Sequence, residues 1–250
     1  MADTSVEAFN SLETGDILLY RTKDLGATFN AVVQGSKFSH VSVVVRGKEG
    51  EESLFQELYP SDYKQYKTKL ALFEAVPKRG VTLFPLEARL TRTVDTIKHL
   101  SVRRHCGMVS DEGHAQLLEF MKKVSGRQLE TLTSDMTRAL LFHRLGLGKG
   151  NKEEDWDKFY CSELVAESLQ QLRIIREGGL NSNDLIPDSF AQPSGGQNKS
   201  FNFAERITNS GHSYGAQEIL IEKGNPLREE LKGLKDEMKR KYKEEQQQKA

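Results

Sequence analysis

His40-Val41-Ser42-Val43-Val44-Val45 is the stretch on which the fold reading turns. Its period of two sets Val41, Val43 and Val45 on one face of a strand and His40, Ser42 and Val44 on the other. β-branched residues dominate, and their stiff χ1 favours the extended backbone. So apolar a segment belongs inside a sheet, where an unsatisfied imidazole costs about 1–3 kcal/mol. His40 therefore needs a partner. Two readings stand: a general base aimed at a nucleophile, or a sheet-edge histidine bonded to a backbone carbonyl.

Upstream, residues 3 to 12 read as a short helix with Phe9 and Leu12 inward. Thr14-Gly15-Asp16 turns the chain into a strand, Ile17 to Tyr20. Phe29, Val32 and Val33 mark a short helix ending near Gly35. Leu54 to Leu58 is ambiguous. Leu70 to Val76 and Val81 to Phe84 form the arms of a hairpin around Pro77-Lys78-Arg79-Gly80. On its first arm Leu72, Glu74 and Val76 share a face. A further strand is expected over Thr96 to Arg103.

The middle of the chain changes to helical periodicity. Ser110 caps a helix with the stripe Leu117, Leu118, Met121, Val124, closed by Gly126. A second helix starts near Ser134, carries Met136, Leu140, Leu141 and Leu145, and runs out at Gly146, Gly148 and Gly150. A third runs from about Cys161 to Leu172, with Leu164, Val165, Ser168 and Leu169 at helical spacing. Residues 177 to 203 read as a long surface loop. From Pro226 a charged helix carries Leu227, Leu231, Leu234 and Met238 at the spacing of a coiled-coil seam. It is either a solvated helix or a surface offered to a protein partner, and two heptads alone are marginal in water. The expected organisation is one domain over residues 1–215, with a helical insertion at about 110–150, and a C-terminal extension over 216–250.

Cys161 stands where a loop becomes a helix. Free N–H groups and the macrodipole at a helix N-terminus stabilise a thiolate and can receive an oxyanion. The alternative is a buried cysteine acting as a small hydrophobe. Glu74 interrupts an apolar strand; if that strand neighbours His40, the carboxylate can fix the ring tautomer and stabilise the imidazolium. Glu57 and Asp16 are weaker candidates for that task.

The composition excludes several classes. Of 250 residues 37% are hydrophobic and 29% charged, with formal net charge zero, so no general field attracts nucleic acid. No apolar run approaches the roughly 18 to 20 residues of a membrane helix. Met1 to Glu7 does not read as a secretory signal. Cys106 and Cys161, the two cysteines present, fall short of a disulfide framework, and a cytoplasmic location is expected. His105, Cys106 and His114 do not make a zinc spacing, and Gly146 to Gly150 is not a phosphate-binding loop. No metal and no cofactor is expected.

Gly15-Asp16-Ile17, Ser39-His40-Val41-Ser42-Val43-Val44, Phe73-Glu74-Ala75 with Gly80-Val81, and Tyr160-Cys161-Ser162-Glu163-Leu164-Val165 together resemble the YiiX-like, circularly permuted branch of the NlpC papain-like superfamily. In that branch the histidine strand precedes the cysteine helix, as here. The resemblance covers roughly residues 12 to 190, including Leu185-Ile186-Pro187-Asp188-Ser189. It implies an α+β, permuted papain-like (NlpC-type) fold: an antiparallel sheet packed against a nucleophile-bearing helix. It also implies cleavage of an amide or ester through a Cys thioester, as in peptidoglycan peptidases and lecithin:retinol acyltransferase-like enzymes. Cys161 would be the nucleophile, His40 the base and Glu74 the orienting group, with Tyr20, Tyr160 and Ser39 lining the substrate cleft. The absent export signal and the helical insertion argue against a cell-wall substrate. A lipid-type or small aminoacyl substrate is expected before a larger peptide. The alternative is a catalytically silent binding module that keeps the cleft and engages a partner through the C-terminal helix.

Overall fold

The computed structural model describes residues 7–23, 37–129, 158–159, 161–175, 185, 187–191, 212–222 and 224–249. The helices expected around Phe29 to Val33 and from Ser134, and the loop expected over 177–203, lie wholly or largely outside those residues. Helix α1 (Glu7–Asn10) leads into strand β1 (Ile17–Thr22). Strand β2 (His40–Arg46) follows, then helix α2 (Glu52–Leu58), which resolves the ambiguous stretch. Strands β3 (Leu70–Val76) and β4 (Gly80–Pro85) form the expected hairpin. Helix α3 (Leu86–Thr93), strand β5 (Ile97–Cys106) and helix α4 (Asp111–Val124) come next. Two short strands, β6 (Gln128–Leu129) and β7 (Lys158–Phe159), precede helix α5 (Cys161–Gln171). Strand β8 (Ser213–Ile221) and helix α6 (Pro226–Lys249) close the chain.

Six strands form one sheet in the order β4-β3-β2-β1-β5-β8, every neighbouring pair antiparallel. The fold is thus α+β, with the sheet between two helical layers. Val41, Val43, Val45, Ile17, Leu19 and Phe73 pack on one side against Leu117 and Met121 of α4 and Leu164, Val165 and Leu169 of α5. Val44, Leu18 and Leu72 pack on the other against Leu86 and Leu90 of α3 and Leu227 and Leu231 of α6. The alternation expected of β2 therefore feeds two cores, which is why the strand is apolar on both faces.

Three expectations are corrected by these contacts. The helix opening the expected 110–150 insertion is part of the main body: Leu117, Met121 and Val124 are fully buried. Ser110 caps it as expected, accepting from the Gly113 N–H. The domain boundary expected at 215 falls inside β8, an edge strand of the same sheet. The coiled-coil seam of the C-terminal helix is used internally: Leu227 and Leu231 are core residues, Leu234 packs against them, and Met238 meets the Tyr66 hydroxyl. Arg228 anchors the same helix by donating to the carbonyls of Val94 and Ile97.

Glycine is required at one turn of the hairpin. Gly80 has φ +70°, and an added Cβ would stand 1.9 Å from the Arg127 carbonyl oxygen. That close approach brings Arg127 alongside Val81, whose N–H donates to the Arg127 carbonyl at 2.8 Å. Beyond it, β6 pairs in parallel with β7, whose Phe159 stands two residues before Cys161.

Candidate active site

His40 is the first residue of β2, and Cys161 opens α5, which packs on β2 and β3. The register that sets Val43 opposite Phe73 carries Glu74 beside Ser42, so His40 and Glu74 are diagonal cross-strand neighbours. His40 Nε2 and Glu74 Oε2 are 2.6 Å apart. Cys161 lies close enough to His40 for each to shift the other's ionisation. With Nε2 engaged by Glu74, Nδ1 is the nitrogen left for the sulfur. The three candidates separated widely in sequence meet at one end of the sheet.

Their environments differ in kind. Cys161 is half-buried, the His40 side chain is 17% exposed and Glu74 is 1% exposed. Burial pushes the Cys161 thiol up; the hydrogen bond and charge of His40, with the main-chain N–H groups of Val41 and Ser162, more than offset it and hold the thiol below its ordinary value. Burial pulls His40 down, but its hydrogen bonds to Cys161 and Glu74 and their charges win, lifting it from 6.5 to about 9. Burial also pushes Glu74 up, against the Arg89 charge and the His40 contacts, which hold it at about 2. All three shifts favour an ionised cluster: thiolate, imidazolium, carboxylate.

Arg89 is absent from the sequence reading and belongs to this cluster. Its Nε donates to Glu74 Oε1 at 2.6 Å, and its guanidinium lies 4.8 Å from the Phe84 ring centroid. The signal for it was faint, since an Arg within the amphipathic Leu86-Glu87-Ala88-Arg89-Leu90 pattern reads as a solvated face.

The expected cleft residues fare differently. Tyr20 is 5% exposed and its hydroxyl meets Ser42 Oγ at 3.0 Å, while its ring lies 5.3 Å from the imidazole. It backs His40, and its hydroxyl is spent inside the protein. The Ser39 hydroxyl accepts from the Thr22 N–H at 3.1 Å and donates to the Tyr20 carbonyl at 3.3 Å, closing the end of β1 and β2. Tyr160 lies outside the described residues. Of the weaker orienting candidates, Glu57 is exposed on α2. Asp16 accepts from the N–H groups of Glu13 and His105 and pairs with Arg104.

The loop before His40 is held from the far end of the chain. Asp188 Oδ1 and Oδ2 accept from the Lys37 N–H at 2.9 and 2.8 Å, and Oδ1 accepts from the Phe38 N–H at 3.1 Å. Ser162, beside the thiol, donates to the Leu185 carbonyl at 2.5 Å. Leu185 thus meets the start of α5, and Asp188 the approach of β2.

Comparison with known proteins adds a structural likeness. The chain is similar to the metalloprotein yiiX from Escherichia coli O157:H7, at 20% sequence identity over 66% of this chain and 69% of that one, with a TM-score of 0.40. No protein-family model and no curated protein matches the sequence. Among the described residues no group of three or more His, Cys, Asp or Glu side chains converges as metal ligands do. Among them, too, no helix is long and apolar enough to cross a membrane.

Proposed function

We propose that this chain is a thiol-dependent hydrolase or acyltransferase of permuted papain-like fold, cleaving an amide or ester bond of a lipid-type or small aminoacyl substrate. The observation that carries the reading is the 2.6 Å contact of His40 with the buried Glu74 carboxylate, on an imidazole that also acts on the Cys161 thiol at the start of α5. A structural cysteine needs no imidazole, and an edge histidine needs no buried carboxylate. Together they make an activated nucleophile with its base and orienter.

In this scheme the Cys161 thiolate adds to the substrate carbonyl carbon. The resulting oxyanion is received by N–H groups of the first turn of α5. His40 gives its Nδ1 proton to the departing amine or alkoxide as the carbon–heteroatom bond breaks, leaving a thioester. Neutral His40 then takes a proton from water, or from an acceptor amine or alcohol, as its oxygen or nitrogen attacks the thioester. The acid or transferred acyl product leaves, and the imidazolium–thiolate pair is restored. Glu74 stays ionised throughout and stabilises the imidazolium.

The test is covalent labelling followed by turnover. Iodoacetamide at neutral pH should modify Cys161 well ahead of Cys106, and Cys161→Ala should abolish the fast phase while the protein stays folded. Fatty-acyl esters and amides, and small aminoacyl amides, are then offered to the wild type. Turnover lost in both Cys161→Ala and His40→Ala supports the reading. Modification of Cys106 alone, with Cys161 inert, would count against it and favour a binding module.

A further inference from the structure

We propose that Arg89 is a positioning residue of this site: its donation to the buried Glu74 fixes the carboxylate's charge and rotamer, and thereby sets the acid limit of the Cys161–His40 pair. The proposal rests on Cys161 being the nucleophile.

Each Glu74 oxygen has its own cationic partner at 2.6 Å, Oε2 on His40 and Oε1 on Arg89. At 1% exposure the carboxylate has little water to turn towards, so rotating it breaks both contacts. A buried carboxylate facing one imidazole alone has two routes to neutrality. It can bind a proton from solvent, or accept the Nε2 proton of His40. The second route leaves a neutral imidazole protonated only at Nδ1, and the Cys161 sulfur then faces no positive charge. The guanidinium blocks both routes, because a protonated Glu74 would leave Arg89 without its anion.

Arg89 is itself well placed for this. It projects from α3, whose Leu86, Ala88 and Leu90 are buried, and it stacks near Phe84. The other titratable groups facing the cluster are Tyr20 from β1, His40 from β2, Cys161 from α5 and Tyr63 from the turn after α2. Burial holds both tyrosines neutral, so neither replaces the guanidinium charge.

The experiment is the pH dependence of Cys161 carbamidomethylation by iodoacetamide, followed by mass spectrometry. It compares the wild type with Arg89→Met, Arg89→Lys and the double variant Glu74→Gln/Arg89→Met. Arg89→Met keeps most of the stem packing and removes the charge. It should move the acid limb of the alkylation profile to higher pH, since without the guanidinium both routes to a neutral Glu74 are open and the positive charge facing the sulfur falls. Arg89→Lys should restore most of that displacement. A profile in Arg89→Met that overlays the wild type would overturn the proposal, as would equal displacement in the Met and Lys variants. If Arg89→Met does not fold, the double variant decides. Folding of the double variant shows that an uncompensated Glu74 was the fault and supports the proposal, whereas failure of both assigns Arg89 to packing and overturns it. A wild-type acid limb at the ordinary thiol position, near pH 8.5, would instead sink the thiolate reading itself, whatever Arg89 does.

Discussion

Replacing Glu74 with Gln tests the charge state of the cluster through stability alone, without any substrate. The buried carboxylate sits at about 2 in the folded chain against an ordinary 4.5. A group lowered on folding contributes stability that is complete above its unfolded value and fades as pH falls towards its folded one. The separation of about 2.5 units, at 1.36 kcal/mol per unit, is worth about 3 kcal/mol at pH 6. At pH 3 the same relation leaves less than half of that. Protonated Glu74 and Gln are near-isosteres, so the gap between wild type and Glu74→Gln should close along this curve. His40 does not cancel from the gap: the variant lacks the carboxylate that helps lift it, so the gap measures the His40–Glu74 contact together with the Glu74 charge. Urea unfolding at pH 6, 4 and 3, on both proteins, measures the gap directly. A gap that stays flat across that range would refute the claim that Arg89 and His40 hold the carboxylate ionised.

Three further outcomes are expected. Turnover of any substrate found should fall at high pH with a limb near 9, where His40 loses the proton it gives to the leaving group; a limb governed by an ordinary histidine near 6.5 would contradict the hydrogen bonding described. Gly80→Ala should cost at least about 2 kcal/mol in thermal or urea unfolding, since φ is positive and the new carbon meets the Arg127 carbonyl. Leu231→Ala, in the second core at 0% exposure, should cost about 2–5 kcal/mol; an unchanged midpoint would mean the C-terminal helix is dispensable for folding.

The strands that carry His40 and Glu74 were legible because their signal is local. Val41 to Val45 alternate cleanly, the Pro77 to Gly80 turn lies between two apolar runs, and a carboxylate inside Leu72 to Val76 is conspicuous by its cost. Strand β5 was found but runs on to Cys106, because its last turn of residues, Arg103-Arg104-His105-Cys106, is polar and gains its order from β8. β8 itself was missed: an edge strand reading Ser-Tyr-Gly-Ala-Gln-Glu before its apolar end has no period to detect. The C-terminal helix showed its apolar seam, but sequence cannot say whether such a seam meets a partner or the chain's own sheet. Arg89 was invisible for the same reason. Its partner is fifteen positions away, and only the antiparallel return of β4 into α3 brings the guanidinium over the carboxylate.

The short parallel clasp of β6 with β7 has a consequence for how such a chain can change. Gln128 pairs with Lys158 and Leu129 with Phe159 beside the hairpin of β3 and β4, and Cys161 follows two positions later. Gly80 holds Arg127 against Val81 at the start of this clasp, so a displacement there would pass through two rungs of backbone to the residue that opens α5.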